Sequence, residues 1–169
     1  GAGSNCTKTA IESTQMAAEI GMDSTLQVVP YYNKPCQNGI YNHFRAIAES
    51  TALPVMIYNI PGRTGINMTA ETVKKCAEIP NIVALKEAAG SVDQMRAFRQ
   101  ECPIDFHIYS GDDGLTLKFL EEGASGVVSV ASHIAGEQIH KMITAFINND
   151  IKEAKSLDKI LQPLFDVLF

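Results

Sequence analysis

A chain of 169 residues with 46% apolar and 20% charged side chains can build one domain with its own core, in the ordinary composition range of a soluble globular protein. A formal net charge of −5 argues against nucleic acid as a partner, because phosphates demand a basic surface. Four scattered cysteines without a C-x-x-C pair and four histidines without H-E-x-x-H spacing exclude a disulfide framework and a zinc site, and no apolar run approaches the ~18 residues that cross a bilayer. No signal peptide pattern is present, so a cytoplasmic protein without a metal site or membrane partner is expected.

Residues 7–20 carry apolar side chains at helical spacing, and Gly21 stops that helix. STLQVVP at 24–30 reads as a short strand. Residues 38–50 return to helical period, with Ile40, Phe44 and Ile47 on one face. PVMIYN at 54–59 is a continuous apolar strand. The helix at 69–78 has Thr69 as its N-cap, with a glutamate read as completing a capping box. Strand 81–87 and helix 91–101 follow, then strand 105–111, helix 113–123 and strand 125–131. Two helices, at 134–148 and 151–168, end the pattern. The strands are too apolar to leave a wet face.

Apolar strands alternating with amphipathic helices predict a parallel sheet covered by helices. Without G-x-G-x-x-G or a Walker loop, a partial (β/α)8 TIM barrel of about five consecutive strand–helix units fits better than a nucleotide-binding sheet, although the pattern alone also accommodates an open flavodoxin-like sheet. No linker divides residues 1–169, so a single domain is expected. A whole barrel takes about 250 residues, which leaves this chain short by about three units and leaves two open sheet edges. The chain lacks an initial methionine, opens on GAGSN and stops inside a helical pattern at DVLF. Both ends are expected to be cut from a longer parent.

Barrel active sites gather at the carboxyl ends of the strands. Tyr58 and Asn59 end one strand, Lys86 and Glu87 the next, and Ser110 to Asp113 another. A lysine buried in an apolar strand lowers its pKa and becomes a nucleophile toward carbonyls. Pairing of Lys86 with Glu87 or another carboxylate explains the same position equally well. Tyr58 reads either as a proton carrier beside that amine or as a core tyrosine bonded to a backbone carbonyl. PGRTG at 61–65 makes a tight turn that holds Arg63 over the strand ends, where it forks onto a carboxylate or stays in solvent. Tyr31 and Tyr32 suit interface packing, and Asp112 or Asp113 suits a helix N-cap. Glu87 and Ser110 receive no role.

The motifs PYYNKP at 30–35, YNIPGRTG at 58–65, ALKEAAG at 84–90, SGDD at 110–113 and GVVSV at 126–130 occur in one order along nearly the whole chain. In these the chain resembles the dihydrodipicolinate synthase family of pyruvate-dependent class I aldolases. The resemblance implies condensation of pyruvate with L-aspartate 4-semialdehyde on the route to diaminopimelate and lysine, without metal or organic cofactor. It implies that Lys86 forms the imine and Tyr58 shuttles protons. Tyr32 would be the second relay tyrosine, reaching a neighbouring subunit's site. Arg63 would bind the semialdehyde carboxylate, and the Gly111 and Val128 backbone would lie by pyruvate. A homotetramer built as a dimer of dimers is implied for the full-length parent. The family's G-T-T-G-E segment has no counterpart here, so the isolated chain is expected to be inactive. Asn5 fits the family's lysine-inhibitor site, but Thr9 stands where inhibited members carry glutamate, so weak lysine inhibition is expected. The alternatives are a related aldolase such as N-acetylneuraminate lyase, which the arginine of PGRTG disfavours, and a catalytically inactive barrel.

Overall fold

The computed structural model describes residues 1–168. Five strands form one open, all-parallel sheet in the order of the chain: β1 (Thr25–Val28), β2 (Val55–Asn59), β3 (Ile82–Glu87), β4 (His107–Ser110) and β5 (Gly126–Val127). The helix α1 (Thr7–Glu19) precedes them. Crossovers run through α2 (Gln37–Glu49), the single turn α3 (Pro61–Thr64) with α4 (Ala70–Ala77), α5 (Val92–Glu101) and α6 (Thr116–Glu121). Parallel neighbours require such crossovers, because the chain must return along the sheet before it can pair again. Two longer helices, α7 (Ser132–Ile147) and α8 (Ile151–Leu168), complete the described residues.

Alternate residues of each strand point beneath the helices. Ile57, Leu85 and Ile108 pack with Ile40, Phe44, Ile47, Phe98 and Phe119 into the main core. Burying each such side chain is worth about 1.5–3 kcal/mol, which explains why the apolar helix periods face the sheet. A second core joins α7 and α8 through Ile139, Met142, Leu161 and Phe165.

The opposite face of the sheet is less completely covered within this chain. Leu26, Val28, Met56, Tyr58, Lys86 and Tyr109 are only partly covered there. Five strands do not close a barrel, so the inner face remains accessible. Along the β1 edge, the amide of Ala2 donates to the carbonyl of Leu26 at 3.0 Å. The β2–β3 pairing contains a bulge. Val55 pairs with Ile82, Met56 pairs with Ala84, and Val83 is left unpaired.

Other boundaries differ locally from the periodic reading. The strand expected at 125–131 is reduced to Gly126–Val127, because the Asp113 carboxylate accepts from the amides of Val130 and Ala131 at 3.0 Å each and turns them off the sheet. The helix expected at 113–123 begins as a 3-10 turn, Asp113–Leu115, before α6. Thr69 does cap α4 by accepting from the Thr72 amide. Thr72 stands at the capping-box position, however, and Glu71 pairs instead with Lys75. PGRTG is a helical turn rather than a simple bend, and Gly65 ends it at φ 75, a conformation that favours glycine.

Candidate active site

Register places the reactive side chains. Tyr58 pairs with Lys86, and Lys86 pairs with Tyr109, so these three stand in a row on the inner face. The Lys86 Nζ lies 4.4 Å from the centroid of the Tyr58 ring. Above them opens a cleft of about 320 Å³ lined by Ile60, Gly62, Arg63, Ala88, Gly111 and Asp112. It sits at the carboxyl ends of β2, β3 and β4, where the sequence places its polar residues.

Gly111 makes room for the lysine. A Cβ there would lie 2.9 Å from the Lys86 Cε and 2.8 Å from the Ala88 Cβ, closer than carbon atoms can pack. The Gly111 amide donates to the Glu87 carbonyl at 2.7 Å. The Val128 amide donates to the Ser110 carbonyl at 2.8 Å, which holds the start of the following loop against β4.

Among the described residues Lys86 forms no ion pair, and its pairing with Glu87 is ruled out because Glu87 lies on the other face of β3, wholly buried. Burial holds the Lys86 amine below the ordinary lysine range, against the charge of Asp113 and with help from that of Arg63. A larger share of free amine at neutral pH follows. Burial raises the Tyr58 phenol, while Arg63 pulls it down. The Tyr58 side chain is half-buried, and its hydroxyl bonds to no carbonyl among the described residues. Arg63 is exposed, borders the cleft and forms no ion pair among the described residues.

Tyr32 is not brought to this cluster. It lies in the loop after β1 with φ 71, is 89% exposed, and its side chain has no hydrogen-bond partner among the described residues. Asp112 is the N-cap, accepting from the Gly114 amide at 3.0 Å, whereas Asp113 clamps the loop after β5. Among the described residues no group of three His, Cys, Asp or Glu side chains is placed to hold a metal, and no helix is long and apolar enough to cross a membrane.

The sequence reading assigned no role to Tyr109 or to the polar group behind the cleft. Asn59 donates to Glu87 at 2.9 Å and to Asn67 at 2.7 Å, and Gln94 donates to both Glu87 and Asn67. Strict alternation counted from Lys86 signals that Glu87 must point under the helices, where a carboxylate needs donors.

The model of the Dihydrodipicolinate synthetase family matches residues 1–169. The chain is 57% identical over 170 residues to a 4-hydroxy-tetrahydrodipicolinate synthase of Acaryochloris marina, covering 100% of this chain and 58% of that one. It is 54% identical to the enzyme of that name from Desulforudis audaxviator, again over 58% of its length. Among solved structures, the dihydrodipicolinate synthase of Cyanidioschyzon merolae with lysine bound superposes with a TM-score of 0.97 at 56% identity, over 100% of this chain and 58% of that one. The Thermotoga maritima synthase superposes with a TM-score of 0.98 at 35% identity, covering 100% of this chain and 59% of the other. The chain thus spans somewhat over half the length of the relatives it matches, and its open sheet is part of a (β/α)8 barrel.

Proposed function

The chain belongs to the Dihydrodipicolinate synthetase family, and from that premise we propose that it carries the pyruvate-activating part of a 4-hydroxy-tetrahydrodipicolinate synthase, joining pyruvate to L-aspartate 4-semialdehyde. The carrying observation is the Lys86 amine held 4.4 Å from the Tyr58 ring beneath a cleft bordered by Arg63. The free amine of Lys86 attacks the keto carbon of pyruvate, and loss of water gives a protonated imine. Removal of a methyl proton then gives an enamine, whose carbon attacks the aldehyde carbon of the second substrate. Tyr58 passes protons in these steps. Arg63 takes the semialdehyde carboxylate in a forked pair. The Gly111 and Val128 backbone lies beside pyruvate.

The Tyr32 side chain is 89% exposed and has no hydrogen-bond partner among the described residues, which suits a residue that completes a neighbouring subunit's site in a dimer of dimers. The reaction is placed in the cytoplasm, on the route to diaminopimelate and lysine. Turnover needs a chain of the relatives' length, so the 169-residue chain is expected to bind pyruvate covalently without completing the condensation.

Borohydride trapping with pyruvate, followed by mass spectrometry and site mapping, tests this. A pyruvyl adduct confined to Lys86, on this chain or on one completed to the relatives' length with the flanking segments of the Acaryochloris marina enzyme, is the expected result. Absence of an adduct from both removes the reading.

A further inference from the structure

The hydrogen bonds behind the cleft carry an inference about Glu87, one that rests on the reading of Lys86 as the imine-forming amine. The Glu87 carboxylate is met only by donors. Asn59 Nδ2 reaches Oε2 at 2.9 Å, while the Ala89 amide at 2.7 Å and Gln94 Nε2 at 3.2 Å reach Oε1. Second bonds fix how these donors are turned. Asn59 Oδ1 accepts from the Met68 amide at 3.1 Å, so the Asn59 side chain cannot be flipped. Gln94 Oε1 accepts from Asn67 Nδ2 at 2.7 Å, and Asn67 Oδ1 accepts from both Asn59 and Gln94. Only a pure acceptor satisfies such a pocket. A neutral acid or an amide would set donor against donor.

These bonds touch the segments that bear Tyr58, Arg63, Lys86 and Gly111. Asn59 follows Tyr58 at the end of β2, and Asn67 and Met68 close the loop that carries Arg63. Ala89 belongs to the loop after Lys86, and the Glu87 carbonyl holds the Gly111 amide. We propose that ionised Glu87 is a positioning residue: from the helix face it fastens the ends of β2 and β3 and the Arg63 loop, so that Lys86 on the opposite face is held against Tyr58.

The charge has no counter-ion among the described residues. Asn59, Asn67 and Gln94 do not titrate, and the Ser110 hydroxyl from β4 is donated to the Asp112 carbonyl. On α4 and α5, Lys74 pairs with Glu101, Lys75 with Glu71, and Arg96 with Asp93 and Glu122, while Arg99 donates to backbone carbonyls. Burial pushes the α4 thiol of Cys76 up to about 12, so it stays neutral. Burial likewise raises the Glu87 carboxyl to about 7, against the bonds from Asn59, Ala89 and Gln94, so protonation in mild acid would loosen the fastening.

The test pairs two measurements on the 169-residue chain. The rate of Lys86 adduct formation with pyruvate and cyanoborohydride is followed against pH, and the side-chain amide of Asn59 and the ring of Tyr58 are titrated by NMR without pyruvate. The wild-type rate is expected to fall about tenfold per pH unit below a midpoint near 7, beyond the fall from protonation of Lys86 itself. Glu87→Gln should remove that limb, lower the rate about tenfold in mild base and leave the lysine limb in place. Glu87→Asp should keep the limb at a reduced rate. The Asn59 and Tyr58 signals should move together at the Glu87 midpoint in the wild type and stay still in Glu87→Gln. An unchanged acid limb in folded Glu87→Gln, or Asn59 and Tyr58 signals that do not titrate together in the wild type, overturns the proposal. Absence of an adduct at any pH, here and on the chain completed to the relatives' length, while both signals move together removes the imine reading of Lys86 and upholds the fastening by Glu87.

Discussion

Lys86 and Glu87 are chain neighbours on opposite faces of one strand, and their environments move both toward neutrality from opposite sides. Burial lowers the lysine and raises the glutamate to about 7. What differs is access. Lys86 is half-covered beside a cleft, whereas Glu87 is wholly buried and enclosed by amide donors. A perturbed titration therefore marks a reagent only where the group can meet a substrate. On the helix side, the same perturbation marks a group that shapes its neighbours.

Substitutions on the two faces should separate these roles. Lys86→Arg should abolish the pyruvate adduct, since a guanidinium stays protonated, and leave thermal unfolding nearly unmoved; an adduct mapped elsewhere in the chain would break the assignment. Tyr58→Phe should slow adduct formation by about 10²–10⁴, read by quenched mass spectrometry, again without loss of fold. Leu85→Ala, on the helix face beside Lys86, should do the reverse: unfolding in urea should show a loss of about 2–5 kcal/mol, while the surviving folded fraction still labels at Lys86.

Smaller effects appear in the pH dependence of stability. Glu87 is raised in the fold, so its contribution is full below 4.5 and is lost as pH rises through about 7. His43 is depressed to about 4 by burial, so its contribution is full above 6.5 and is lost as pH falls through about 4. Each is worth roughly 3 kcal/mol, and the two slopes oppose one another. The wild type should thus look nearly flat in mild acid. Glu87→Gln should unmask a stability that falls with acid, and His43→Asn one that rises with acid. Parallel urea melts at several pH values would show this. The least effect is expected at the surface, where Arg96→Ala should leave the urea midpoint almost unmoved despite its two ion pairs.

Much of this arrangement was legible in the sequence. The helix faces of Ile40, Phe44 and Ile47 follow from their spacing, and all three are buried. Tyr58, Lys86 and Arg63 converge because strand ends share one rim of the sheet. The remainder depends on partners distant in the chain. The shortening of β5 is set by an aspartate 17 and 18 residues away from the amides it draws off. The enclosure of Glu87 needs Asn59, Asn67 and Gln94, from three separate segments, and no local pattern announces their meeting. Tyr109 is hidden in an apolar run, where only register reveals it as the neighbour of Lys86.

The unpaired Val83 has a consequence for parity. Ile82 is packed in the helix-side core, and strict two-residue alternation from it would send Ala84 and Lys86 to that same side and turn Glu87 toward the cleft. One surplus residue resets the count, so that an amine faces the cleft and an acid faces the core. The order of the two letters K and E thus acquires its chemical meaning from an odd number upstream. A frame of four residues between the Ile82 anchor and the strand end, rather than any property of the lysine itself, decides which of the pair can be a reagent.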